Sequence, residues 1–325
     1  MKRELTRREF SRLVAGASLA AGMAAAAGAM PVRALGKIGF KAGILGLGAQ
    51  RIADRPMEQA AVDRLVAEAI DNGLNYIDTA RGYGDSEEKL GRALKGKRDK
   101  VFLVTKTRSG TRGEALKELE QSLRLLQTDH VDCFHIHNIA RDDRYPDLDQ
   151  ALSSQGVLGG LIEAKKRGMT RHLGCTAHLW PARVLPVFAT GEIELFMCSM
   201  NFVGKHIYDF EGKVLPEARR RGIGVIAMKV LGGPAQNSPA PRLATAEDYL
   251  ATLRYVWGVA GVAVAIVGMR NNGELRQGLA AARAYRPLTP AEMARRKVPL
   301  ADARGSVERG KTLAAEWGPL RGRAV

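Results

Sequence analysis

Eight times between residues 42 and 284, a short apolar run gives way to a stretch whose apolar residues recur three and four apart. The strand-like runs are 42–48, 74–78, 101–106, 131–137, 171–175, 193–200, 224–228 and 262–267. Between them lie helical stripes such as Val62, Leu65, Val66 and Ile70, stopped by Gly73, and Leu116, Leu119, Leu123 and Leu126. Leu158, Leu161 and Ile162 before Gly168, then Leu250, Leu253, Val256 and Trp257, repeat the pattern. Strands this apolar, alternating with helices, imply a parallel sheet covered on its outer face. Eight such units in about 250 residues predict an α/β fold of the closed (β/α)8 TIM barrel type. An open doubly wound sheet is the competing architecture. The first turn, Gly46-Leu47-Gly48-Ala49, lacks the remaining glycine of the dinucleotide fingerprint that such a sheet commonly carries.

The two ends do not continue this rhythm. Thr6-Arg7-Arg8-Glu9-Phe10 is a twin-arginine pattern, followed by a weakly hydrophobic Ala/Gly-rich run from Leu13 to Ala29. That run is too short and too rich in small residues to favour a spanning helix, so export is expected without permanent membrane insertion. The expected division is residues 1–34 as a twin-arginine signal peptide and linker, 35–285 as the barrel, and 286–325 as a basic C-terminal appendage. Delivery would be periplasmic, with the twin-arginine export machinery as a partner. Residues 1–34 fused to a reporter should then send it out of the cytoplasm, and Arg7→Lys with Arg8→Lys should retain it; equal export of both fusions would contradict the signal. The net charge of +16 has no aromatic-interleaved nucleic-acid motif beside it, so no nucleic-acid partner is expected. Three cysteines without CxxC spacing signal neither a metal ribbon nor a disulfide framework. The protein is expected as a monomer or small homo-oligomer.

In a barrel the C-terminal ends of the strands share one face. At these tips the sequence places Asp78, Lys106 and His137, with Tyr83 five residues beyond Asp78 in a loop flanked by Gly82 and Gly84. Asp85 or Ser86 can cap the helix that follows. A phenol titrates near 10 unaided. A neighbouring ammonium is expected to lower that value, and a carboxylate keeps the ammonium charged and oriented. A neutral histidine opposite can hydrogen-bond to a carbonyl oxygen. The set suits proton delivery to a developing alkoxide.

The stretch Asp-Thr-Ala-x-x-Tyr-Gly-x-Ser-Glu at 78–87 resembles the signature of the aldo-keto reductases. The resemblance continues through Val104-Thr105-Lys106, Val131-Asp132, residues 168–174 and 222–229, and Ile266-Val267-Gly268, covering about residues 36 to 285. It implies that Asp78, Tyr83, Lys106 and His137 are a catalytic tetrad with Tyr83 as general acid/base, reducing an aldehyde or ketone. It also implies a nicotinamide cofactor across the barrel mouth: NADP(H), with NAD(H) as the alternative. Candidate cofactor residues are Gly48, Thr176, Met228, Lys229, Gly268 and Arg270. Several depart from the common pattern. Thr176-Ala177-His178 stands where many members have Ser-Asn; Thr176 can still hydrogen-bond, and His178 either replaces the missing amide or is a surface histidine. Met228 stands for a stacking tyrosine, and Glu274 occupies a place where some members have arginine.

Two other readings compete. His135-Ile136-His137 puts two imidazoles on one strand face, as a metal-dependent hydrolase requires, with His172 and His178 nearby as further candidates. The altered cofactor positions also fit a barrel that binds a nicotinamide nucleotide without turnover.

Overall fold

The computed structural model describes residues 28–54, 57–201, 204–206, 208–232, 246–289 and 291–292. An antiparallel hairpin of β1 (Val32–Ala34) and β2 (Lys41–Gly43) precedes the repeating units. Then come β3 (Leu45–Gly48), β4 (Tyr76–Asp78), β5 (Phe102–Thr107), β6 (Val131–Ile136), β7 (Thr170–Ala177), β8 (Leu195–Ser199), β9 (Gly224–Met228) and β10 (Val262–Val267). These strands pair in parallel in chain order, and β10 pairs back onto β3 to close a barrel. The expected TIM barrel is therefore present. The open-sheet alternative is excluded by that closure.

The helices are α1 (Gln50–Asp54), α2 (Gln59–Asp71), α3 (Ser86–Ala93), α4 (Arg112–Leu126), α5 (Leu148–Leu152) and α6 (Val157–Lys166). They continue with α7 (Leu185–Ala189), α8 (Phe210–Lys213), α9 (Leu215–Arg220), α10 (Ala246–Gly258) and α11 (Asn272–Arg283). Their buried stripes form one apolar layer with the outward faces of the strands, including Val62, Leu65, Leu119, Leu161 and Leu253. A smaller cluster fills the barrel interior, with Tyr76, Phe102, Val104, Cys133, Leu195, Met197, Ile226 and Val264. Thr111 caps α4 through its hydroxyl, which accepts from the Glu114 amide and donates to the Glu114 carboxylate at 2.9 Å. Gly91 lets α3 lie directly on α4, since a Cβ there would overlap the Leu125 carbonyl.

Two expectations need correction. The run 42–48 is not one strand: β2 ends at Gly43 and β3 begins at Leu45. The boundary at residue 35 cuts the hairpin between its strands, because Leu35 is fully buried against the barrel floor. The hairpin turn fits only through Gly36, whose φ of 53° is left-handed and whose Cβ would strike the backbone at Gly222–Gly224. The twin-arginine stretch, residues 233 and 234 of the glycine-rich loop, and nearly all of the basic tail lie outside the described residues. Among the described residues no helix is long and apolar enough to cross a membrane.

Candidate active site

The strand tips converge. Asp78 ends β4 and Lys106 lies on β5, and their side chains are only 2% and 1% exposed as residues. The Lys106 ammonium sits 2.6 Å from Asp78 Oδ1 and 2.7 Å from Oδ2. It also donates to the Thr79 carbonyl at 2.6 Å. Its Nζ is 5.0 Å from the centroid of the Tyr83 ring, which meets the His137 ring edge-on at 5.8 Å. The four expected residues are thus assembled around one point at the mouth.

Their protonation follows from burial. Burial pushes the Asp78 carboxyl up, and the Lys106 charge works against it. Burial lowers Lys106, but Asp78 and Tyr83 together outweigh that and hold the ammonium above its ordinary value. For Tyr83, burial raises the phenol above 10 although Lys106 and Arg108 pull it down. The lowered phenol expected from charges alone is therefore corrected: desolvation wins, and Tyr83 rests as the acid. Burial also drives His137 well below the ordinary imidazole value, helped by Lys106, His178 and two arginines. Arg108 Nε donates to His137 Nδ1 at 3.5 Å, so the proton of the neutral ring belongs on Nε2.

A buried frame holds these groups, and sequence reasoning passed over most of it. Glu87 resembles an ordinary acid in a helix first turn. In the fold it is fully buried, pairs with Arg81, and accepts from Thr105 Oγ1 at 2.6 Å. It thereby ties the Tyr83 turn to β5, next to Lys106. Ser86 Oγ meets Thr79 Oγ1 at 2.9 Å and donates to the Ala49 carbonyl at 3.1 Å, binding the same turn to β4 and β3. Asp85 precedes α3 but makes no capping hydrogen bond; it pairs with Lys89 at 2.7 Å instead. Asn138, in left-handed backbone at φ 61°, locks the loop after β6. Its amide donates to Thr176 Oγ1 at 2.7 Å, and its Oδ1 accepts from the His178 amide at 3.2 Å.

A cleft opens beside the tetrad, between the tips of β3, β9 and β10. Gly48, Met228, Lys229 and Gly268 line it together with Asp78, Tyr83, His178 and Arg51. A Cβ on Gly268 would lie 2.6 Å from Arg51 Cγ, so the glycine makes room for that arginine stem. The cleft therefore carries cations, an apolar thioether face and a neutral imidazole. His178 is held well below the ordinary value, at about 3, chiefly by burial. Its Nδ1 meets Ser199 Oγ at 3.3 Å. Two expected cofactor residues are not brought to this cleft. Thr176 is fully buried and spends its hydroxyl on Asn138. Arg270 is gripped by Glu274, with Nη2–Oε1 at 2.6 Å and Nε–Oε1 at 3.1 Å.

The paired imidazoles of the metal reading separate by depth. His135 lies fully buried one layer below the mouth, both ring nitrogens without a hydrogen-bond partner, in space left by Gly174. His172 is at the opposite end of the barrel, bound to Glu194 at 2.8 Å and stacked on Phe102. Among the described residues no group of three His, Cys, Asp or Glu side chains could hold a metal ion.

The chain is similar to known proteins. L-galactose dehydrogenase of Arabidopsis thaliana is 30% identical over 242 residues, 66% of this chain and 72% of that protein. Aldo-keto reductase YhdN of Bacillus subtilis is 36% identical over 126 residues, 33% of this chain and 38% of that one. The structure of an aldo-keto reductase from Bacillus halodurans in its holo form superposes with a TM-score of 0.67 at 20% identity, covering 82% of this chain and 95% of that one. Residues 44–239 match the model of the aldo/keto reductase family, and with the assembled Asp78, Tyr83, Lys106 and His137 this places the chain in the aldo/keto reductase family of oxidoreductases.

Proposed function

We propose that this protein reduces a small aldehyde or ketone with a nicotinamide nucleotide bound in the cleft, Tyr83 giving the proton. The observation that carries the reading is the buried Asp78–Lys106 pair set against a protonated Tyr83 and a neutral His137. The cleft residues fit the cofactor's chemistry. Lys229 and Arg51 supply positive charge for phosphates, Gly268 makes room for the Arg51 stem, and Met228 offers a soft apolar face to a pyridine ring. His178, with Nδ1 engaged by Ser199, has Nε2 for the carboxamide. The bound nucleotide supplies a hydride; the protein manages the oxygen and its proton.

His137 Nε2 donates a hydrogen bond to the substrate oxygen and so orients the carbonyl. Tyr83 passes its phenolic proton to that oxygen as negative charge builds there. Lys106 then faces a phenolate and stabilises it, and Asp78 keeps Lys106 charged throughout. Raised by burial, the phenol is the competent acid over the whole neutral range. Both mouth histidines are lowered and stay neutral there. Carbonyl reduction should therefore run flat from about pH 6 to 9, without an imidazole inflection, and fall only as the phenol ionises. Alcohol oxidation, which needs phenolate, should rise with pH instead. Rates of carbonyl-dependent NAD(P)H oxidation across pH test this. An inflection near pH 6.5 in reduction would contradict it.

The choice of nucleotide turns on the cation that meets a 2′-phosphate, Arg270 or Lys229. A 2′-phosphate reaching that guanidinium would compete with a carboxylate already bound to it, and Glu274 also accepts from the Arg270 amide at 2.9 Å. This pairing works against the NADP(H) preference expected from the sequence and favours comparable use of NAD(H). Export by the twin-arginine route, which rests on the sequence of residues 1–34, belongs to the same proposal and is tested by the reporter fusion.

A further inference from the structure

The proton machinery is nearly balanced in charge, since Asp78 and Lys106 face one another. The rim on its far side from the cofactor cleft is not balanced. Arg108, from the loop after β5, donates to His137 Nδ1 at 3.5 Å. Arg144, from the loop after β6, donates to the His137 carbonyl oxygen at 3.2 Å. The two guanidinium groups thus approach the same histidine from neighbouring loops. Arg108 is also fixed over Gly82, where a Cβ would stand 2.6 Å from its Cζ, so it lies between the Tyr83 turn and the His137 ring.

Among the described residues most arginines are paired with a carboxylate. Arg81, Arg98, Arg141, Arg270 and Arg276 each form an ion pair with a carboxylate. Among the described residues, neither Arg108 nor Arg144 has a carboxylate within 4.0 Å. Glu118, the acid nearest to Arg108 by hydrogen bonding, binds its backbone amide and Thr107 Oγ1 at 2.5 Å rather than the guanidinium. Arg144 is half-buried, and burial together with the charges of Arg108 and Arg141 pushes it below the ordinary guanidinium value. Two like charges are therefore gathered about His137 without a direct ion-pair partner among the described residues, although Asp143 partly offsets the charge of Arg144. Proton transfer does not use them.

We propose that the substrate is an anionic carbonyl compound of the oxo-acid class, with its carboxylate on the carbon next to the reacting carbonyl or one further along, bound by Arg108 and Arg144. The spacing follows from the imidazole. Its Nε2 serves the carbonyl oxygen while Arg108 holds its Nδ1, so the anion seat is one ring width from the oxygen being reduced. Planar guanidinium groups match a carboxylate with paired hydrogen bonds. Arg108 and Arg144 determine specificity; the chemistry stays with the tetrad. The inference rests on the reductase reading above.

The test compares pyruvate with its uncharged methyl ester, in the wild type and in an Arg108→Gln/Arg144→Gln variant, with NADPH or NADH as reductant. The ratio of kcat/KM for anion over ester should drop roughly 10- to 100-fold in the variant, the usual loss when a charged hydrogen bond is removed. Using the ratio cancels any disturbance of His137 common to both substrates. Arg108→Gln with Arg144→Lys should keep part of the preference that the double glutamine variant loses. In the wild type, oxamate, an unreactive isostere, should inhibit competitively, and about 0.5 M salt should weaken its effect. This arm needs no variant to fold. An unchanged ratio, or no competition by oxamate, overturns the anion seat even if neutral aldehydes such as 4-nitrobenzaldehyde are reduced. Failure of every carbonyl, charged or neutral, to oxidise either nucleotide overturns the reductase reading itself.

Discussion

Tyr83→Phe lowers kcat for carbonyl reduction by about 10²- to 10⁴-fold, the range for a lost general acid. The ring and its edge contact to His137 survive the change, so the loss reports the proton and not the packing. Lys106→Met falls into the same range, because the phenolate left after proton transfer then has no ammonium beside it. Combining the two adds little beyond the worse single variant, as expected for residues acting as one unit. Single-turnover measurements with excess enzyme separate this step from product release. A Tyr83→Phe variant with near-normal single-turnover rate would remove Tyr83 from the chemistry.

Asp78→Asn should be the most destabilising isosteric change in the barrel mouth. It leaves Lys106 buried among neutral partners, the Thr79 carbonyl and Tyr83 among them, with no carboxylate to balance its charge. Removing one member of a buried ion pair costs about 3–5 kcal/mol. Replacing both members, as in Asp78→Leu with Lys106→Met, should recover most of that stability, since the stranded charge is gone. Urea unfolding of the two variants checks the pair. A loss under about 1 kcal/mol for Asp78→Asn would mean that the pair behaves like an exposed one.

The sequence made the barrel and the tetrad legible for one reason. Strand periodicity places residues at strand tips, and tips share a face, so Asp78, Lys106 and His137 could be brought together before any coordinates. Their energetics were less readable. The sign of the Tyr83 shift depends on how much burial outweighs Lys106, and burial is a tertiary quantity. Glu87 was hidden because an acid in a first turn is ordinarily a solvated partner of the helix dipole, whereas here Arg81 and Thr105 enclose it. Thr176 and Arg270 were placed in the cofactor site by alignment of motif positions. Their side-chain pairing was not legible: Thr176 Oγ1 accepts from the Asn138 amide, and Glu274 takes the Arg270 guanidinium. The Arg270–Glu274 spacing of four was visible in the chain, but its pairing needs the helix to begin between the two residues. Arg108 and Arg144 carried no sequence signal, since only the fold brings both loops to His137.

The central claim is hydride transfer to a carbonyl with Tyr83 giving the proton. The most direct measurement is to supply the protein with nicotinamide nucleotide deuterated at C4 on either face, together with an oxo acid or aldehyde, and to analyse the alcohol by mass spectrometry. Deuterium from one face should appear on the carbinol carbon with the wild type and at a greatly reduced rate with Tyr83→Phe. Binding of the nucleotide without deuterium in any product, or equal transfer by the two proteins, would contradict the account.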